Sequence, residues 1–141
     1  VKGPNGVLTA RNADTGVLVA RRVQIAATHA ARAVGLLGRA RLDGGEGLLI
    51  VPCHGVHTWG MRFPIDVLAL DLDGVVVDCV SALRPWRIRL PRRRAASVLE
   101  LPAGTIAFTT THVGDRIVLE PVVGSWSGSG GPSAGPPAGG P

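Results

Sequence analysis

Hydrophobic and polar positions alternate in short stretches along this chain, and one stretch alone repeats with a helical period. Val7-Leu8-Thr9-Ala10 and Val17-Leu18-Val19-Ala20 are β-prone runs. Asn12, Asp14 and Gly16 lie between them, so the pair predicts a hairpin. Val23-Gln24-Ile25 prolongs its second strand. Thr28 stands where a helix N-cap belongs, and Ala30, Ala33, Val34 and Leu37 follow as one apolar stripe that Gly38 can end. Gly47-Leu48-Leu49-Ile50-Val51 has strand length and stops at Pro52. Residues 66–72 and 75–81 flank Asp73-Gly74, which reads as a two-residue hairpin turn. Residues 97–101 predict a further strand, and 102–104 open a helix that the threonines at 109–111 keep brief. Residues 116–122 predict the last strand.

Many short strands, glycine and proline punctuation and one clear helix indicate a mainly-β fold, α+β at the margin. The expected form is a small jelly-roll-like sandwich or barrel of antiparallel strands, with one side helix and a second short one. In the hairpin, Leu72 is expected opposite Val75, Leu70 opposite Val77, Leu68 opposite Cys79 and Asp66 opposite Ser81. That shared face is the expected core, with Cys79 a buried packing residue and Asp66 at its end. A carboxylate there either accepts backbone N–H bonds or lines a polar mouth. Glu100 alternates with Leu99 and Leu101, so it should face outward or pair with an arginine. His29 and His112 are expected to be exposed.

Composition divides the chain. Residues 124–141 contain 7 Gly, 4 Pro and 4 Ser and cannot bury apolar surface, so a disordered tail is expected after a single domain at 1–123. Two cysteines are too few for a disulfide scaffold. The apolar runs are too short for a spanning helix. No charged-then-apolar leader opens the chain, and a cytoplasmic location is expected unless a leader was removed. The net charge of +5 rests on arginine, and six arginines fall within residues 84–94.

Five segments in order carry a family resemblance. They are Arg32-Ala33-Val34-Gly35-Leu36-Leu37-Gly38-Arg39, Gly47-Leu48-Leu49-Ile50, His57-Thr58-Trp59-Gly60-Met61-Arg62-Phe63-Pro64-Ile65-Asp66, the hairpin with Asp71 and Gly74, and Val98-Leu99-Glu100-Leu101-Pro102-Ala103-Gly104 with Gly114-Asp115 after it. In these the chain resembles the uncharacterised prokaryotic family called domain of unknown function 192, from about Thr28 to Glu120. The resemblance implies a compact, mainly-β, jelly-roll-like domain and no established activity. By analogy it places a functional cleft around His57, Met61, Pro64 and Asp66. The first hairpin and the tail lie outside it.

Four chemistries are open to these residues. Cys53, His54, His57 and Met61 could ligate a soft metal, but on a straight strand Cys53 and His57 stand about 13 Å apart, at roughly 3.3 Å per residue. No metal or cofactor is therefore expected. Cys53 could act as a nucleophile only if the chain folds back to bring His57 to it, with Asp66 orienting the imidazole. Arg87 and Arg89 alternate with Trp86 and Ile88, so they should line an outer strand face and, with Arg92, Arg93 and Arg94, form a polyanion surface. The leading reading is a non-enzymatic module that holds a small ligand or a protein in the cleft near His57 and Asp66.

Overall fold

The computed structural model describes residues 7–26, 41–52, 56–58, 61–89 and 94–122. The helix expected at 28–38, Cys53, His54, Trp59, Arg92, Arg93 and the tail lie outside them. The described elements are β1 (Leu8–Asn12), β2 (Leu18–Ala26), β3 (Glu46–Ile50), β4 (Val56–His57), β5 (Ile65–Leu70), β6 (Val76–Leu83), β7 (Ile88–Arg89), β8 (Ser97–Pro102), α1 (Thr105–Thr109) and β9 (Ile117–Pro121). The fold is mainly β, and these strands follow the runs and turns read from the chain, except β4, which no run predicts. The brief helix after Pro102 is also present.

Seven strands form one sheet in the order β6-β5-β8-β3-β2-β1-β9, while β4 and β7 pair as a separate ribbon. Neighbours in the large sheet are antiparallel except β2 and β3, which run parallel and so require the long connection between them. The sheet curls until its edges touch. Val75 bridges Arg116, the Val76 N–H donates to the Asp115 carbonyl at 2.8 Å, and the Ile117 N–H donates to the Gly74 carbonyl at 2.8 Å. Gly74 is required at this seam. Its φ is +81°, and an added Cβ would lie 2.5 Å from the Ile117 carbonyl oxygen. The contact pairs edge groups of β6 and β9 that an open sheet would leave exposed.

Both faces are covered at the centre of this sheet. The inner cluster draws Ala10, Val23, Leu49, Leu68, Leu99 and Ile117 from strands all around the curl, together with Ile106 of α1. The outer cluster contains Ala26, Leu48, Ile50, Ile65, Val67 and Val98, with Met61 packed among them. Every position of β5 is therefore buried. Each fully buried Leu, Ile or Val adds about 1.5–3 kcal/mol relative to exposure.

The β5–β6 hairpin departs from the expected register at its turn. Leu68 faces Cys79 as read from the sequence, but Leu70 faces Val76. The Asp71 N–H donates to the Val75 carbonyl at 3.0 Å, which makes Asp71 the closing residue. Its carboxylate accepts the N–H groups of Asp73 and Val75, both at 2.9 Å. The loop thus has three residues and ends in left-handed Gly74, and Leu72, expected in the core, is 92% exposed.

Glu100 also departs from expectation. It lies between Leu48 of β3 and Val67 of β5, is 3% exposed, and its Oε2 meets no hydrogen-bond donor among the described residues. Alternation was no guide because β8 is covered on both faces. Burial pushes the carboxyl up to about 7, from an ordinary 4.5. The folded chain therefore holds a proton that the unfolded chain releases as pH rises between those values, so this residue subtracts stability above them. Glu100→Gln is expected to exceed the parent by roughly 3 kcal/mol at pH 8 and by little at pH 4, at 1.36 kcal/mol per pH unit. Urea unfolding at both pH values checks this, and an equal gap at both would contradict it.

Candidate functional site

The segment expected to form a cleft starts on β4. His57 pairs with Ile88 of β7 and is exposed. Thr58, next along the chain, is fully buried. Its N–H donates to the Arg87 carbonyl at 2.8 Å, and its carbonyl accepts the Trp86 N–H at 2.9 Å. Its hydroxyl donates to the Arg84 carbonyl at 2.6 Å and accepts the Arg87 N–H at 2.9 Å. One residue so satisfies four backbone groups of the 84–87 turn. The turn needs such support, because Trp86 has a φ of +61°, in the left-handed region that bulky side chains avoid.

Asp66 stands on β5 in alternation with Leu68 and Leu70, so its side chain enters the inner face. It is wholly enclosed, and its two oxygens accept the N–H groups of Ala82 and Ile106, each at 2.8 Å. Ala82 is itself left-handed, with a φ of +49°. α1 starts after Gly104 without a side-chain cap of its own, and Asp66 satisfies one of its first N–H groups from across the fold. Of the other expected cleft residues, Met61 packs in the outer cluster and Pro64 is exposed. The four residues are thus spread over the inner face, the outer face and the surface.

Of the expected polyanion residues, Arg87, Arg89 and Arg94 lie among the described residues. Arg87 is exposed. Arg89, expected on the outer face, instead makes two hydrogen bonds of 2.9 Å to the Asp78 carboxylate, which join β7 to β6. Those bonds and the Asp78 charge raise the guanidinium pKa further. Ile88, which alternation with Arg87 and Arg89 would turn inward, is 55% exposed. Arg94 is exposed in the segment before β8. Cys79 is half-buried against the inner cluster, and burial first, then the charges of Asp78 and Asp66, raise its thiol pKa. That keeps it protonated and unreactive at neutral pH.

A hollow of about 730 Å³ opens where β3 ends, beside the β5–β6 turn and the segment entering β8. Val51, Pro52, Leu72, Ala95 and Ala96 supply apolar surface to it, and Asp73 and Arg94 place opposite charges on its wall. The sequence reading passed over this hollow, because its walls come from three distant segments. It also passed over Thr58, whose hydroxyl partners lie 26 and 29 residues further on. Thr58→Val keeps the side-chain volume and removes the hydroxyl. It is expected to cost about 1–3 kcal/mol, the penalty for buried polar groups left unpaired. Amide exchange of Arg87 should quicken while that of Leu99 in β8 follows global stability, and an unchanged Arg87 rate would contradict the role given to Thr58.

Comparison with known proteins fits this architecture. The model of the family DUF192, described as uncharacterised, matches residues 9–119. That span takes in the first hairpin, which the resemblance had left out. A UPF0127 protein of Pyrococcus abyssi is 36% identical over 101 residues, covering 68% of this chain and 84% of that protein. A crystal structure of a protein of unknown function from Novosphingobium aromaticivorans superposes with a TM-score of 0.69 at 23% identity, covering 79% of this chain and 83% of the other. One from Sinorhizobium meliloti, described as a candidate transcription regulator, gives a TM-score of 0.71 at 24% identity, covering 81% and 92%. At those identities the two structures speak for the fold alone. Matched by the family model along most of its length, the chain belongs to the DUF192 family.

Proposed function

We propose that this chain is a non-enzymatic binding module that takes a small ligand with an apolar body and an anionic end. The observation that carries the reading is the hollow beside the β5–β6 turn. Its volume, about 730 Å³, falls within the range of about 300–1,000 Å³ that small-molecule sites occupy. Leu72 stands at its wall almost fully exposed, so a ligand seated there would cover a leucine side chain that the fold leaves in water. Arg94 offers a planar cationic fork to a carboxylate, sulfonate or phosphate. Asp71 already spends its carboxylate on the turn, so Asp73 is the acidic group available to a ligand's hydrogen-bond donors. His57, Met61, Pro64 and Asp66 do not line this hollow. In this reading the binding class expected from the sequence is kept, and Asp66 serves the fold by holding Ala82 and Ile106.

Anilinonaphthalene sulfonate has the required shape and charge. Its fluorescence is expected to rise saturably on the folded protein. Arg94→Ala should weaken it about tenfold, the worth of one hydrogen bond to a charged group. Ala96→Trp should abolish it, with the urea midpoint of both variants near that of the parent. Equal binding by Ala96→Trp would remove the hollow as the site.

A further inference from the structure

We infer that the 84–88 turn is a stacking platform for single-stranded nucleic acid, with Trp86 as the surface for a base and Arg84 and Arg87 as its phosphate contacts.

The first ground is that the turn holds a costly arrangement in place. Trp86 is 65% exposed, so the largest side chain in this region is left in water. It also adopts a left-handed backbone, which costs an L-residue of its bulk roughly 1–2 kcal/mol. Glycine or asparagine would fit the same turn more easily. The arrangement is nevertheless fixed at both ends. Asp66 holds Ala82 before the turn, and Thr58 holds Arg84, Trp86 and Arg87 within it. Strain of this kind, imposed by buried polar groups, accompanies sites that must present one side chain in one direction.

The second ground is charge. Arg84, Trp86, Arg87 and Ile88 are all exposed. From Cys79 to Arg89 the chain contains no acidic residue, and the nearest one before them, Asp78, is engaged by Arg89. Arg89 is thereby engaged by that carboxylate, and among the described residues neither Arg84 nor Arg87 forms an ion pair. The Arg87 guanidinium donates to the Trp86 backbone carbonyl at 3.3 Å, which ties the cation to the turn that presents the ring. An exposed indole flanked by two such arginines matches the alternation of base and phosphate along a single strand. In a duplex the base faces are already stacked, so the platform selects unpaired strands. This surface shares no residue with the hollow at Arg94, and either assignment can fail without the other.

The test is fluorescence anisotropy of a labelled twelve-nucleotide oligothymidylate with the full chain at low salt. Trp86→Gly is expected to weaken binding about tenfold, the value of one stacked base. The same change should leave the unfolding midpoint equal or higher, because glycine is at ease at that φ. Trp86→Phe should retain most of the affinity. With Arg84 and Arg87 both changed to Ala, the log–log salt slope should become shallower by about 1.4, at about 0.7 per phosphate contact. Three results would overturn the inference. They are absence of binding by the parent at low salt, equal affinity of Trp86→Gly and parent, or a Trp86-dependent attachment to anionic phosphatidylserine vesicles without one to the oligonucleotide.

Discussion

The Asp66 carboxylate ties together three pieces of chain that the sheet alone would leave independent. It sits on β5, reaches the end of β6 through Ala82, and reaches the first turn of α1 through Ile106. A carboxyl group wholly removed from water is tolerated because both its oxygens accept hydrogen bonds from backbone N–H groups. Those bonds also set geometry. They help hold Ile106 in the inner cluster and support left-handed Ala82, from which the chain leaves β6 for the 84–87 turn. Thr58 then receives that turn. Two side chains of one short segment thus govern both ends of residues 82–87.

Glu100 shows what the same environment does to a carboxylate without donors. β5 and β8 are paired so that Asp66 lies opposite Leu101 and Val67 opposite Glu100. The two acids are close along the ladder but occupy opposite faces. Inside, Asp66 meets two N–H groups. Outside, Glu100 faces Leu48 and Val67 with no donor to Oε2 among the described residues, and burial pushes its carboxyl pKa up to about 7. Curling the sheet until β6 touches β9 buries one face, and packing over β3, β5 and β8 buries the other. Any acid on those strands must either find backbone donors or take up a proton.

Two surfaces follow from turns rather than from the sheet. The hollow owes one wall to the loop that Asp71 closes, which pushes Leu72 outward. The Trp86 platform owes its shape to Thr58. In both, a short polar side chain binds nearby or distant backbone and thereby forces a large apolar residue into water. Mobile loops would let those residues collapse onto the core. Rigid ones keep them available, which is how a stiff β frame commonly carries binding groups.

The sequence by itself determined where the strands of the large sheet run, where the brief helix follows Pro102, and that Leu68 meets Cys79. These depend on alternation, turn residues and near neighbours. It also showed that Asp66 ends an apolar face and that backbone N–H groups could satisfy it, but it could not name Ala82 and Ile106. Only the tertiary structure decided that β5 and β8 have no wet side, which put Glu100 in the core, and that Arg89 turns to Asp78. It alone assembled the hollow from Val51, Leu72 and Arg94. Local patterns report a residue's own strand, whereas burial, ion pairing and cavity walls depend on segments that meet only once the sheet has curled.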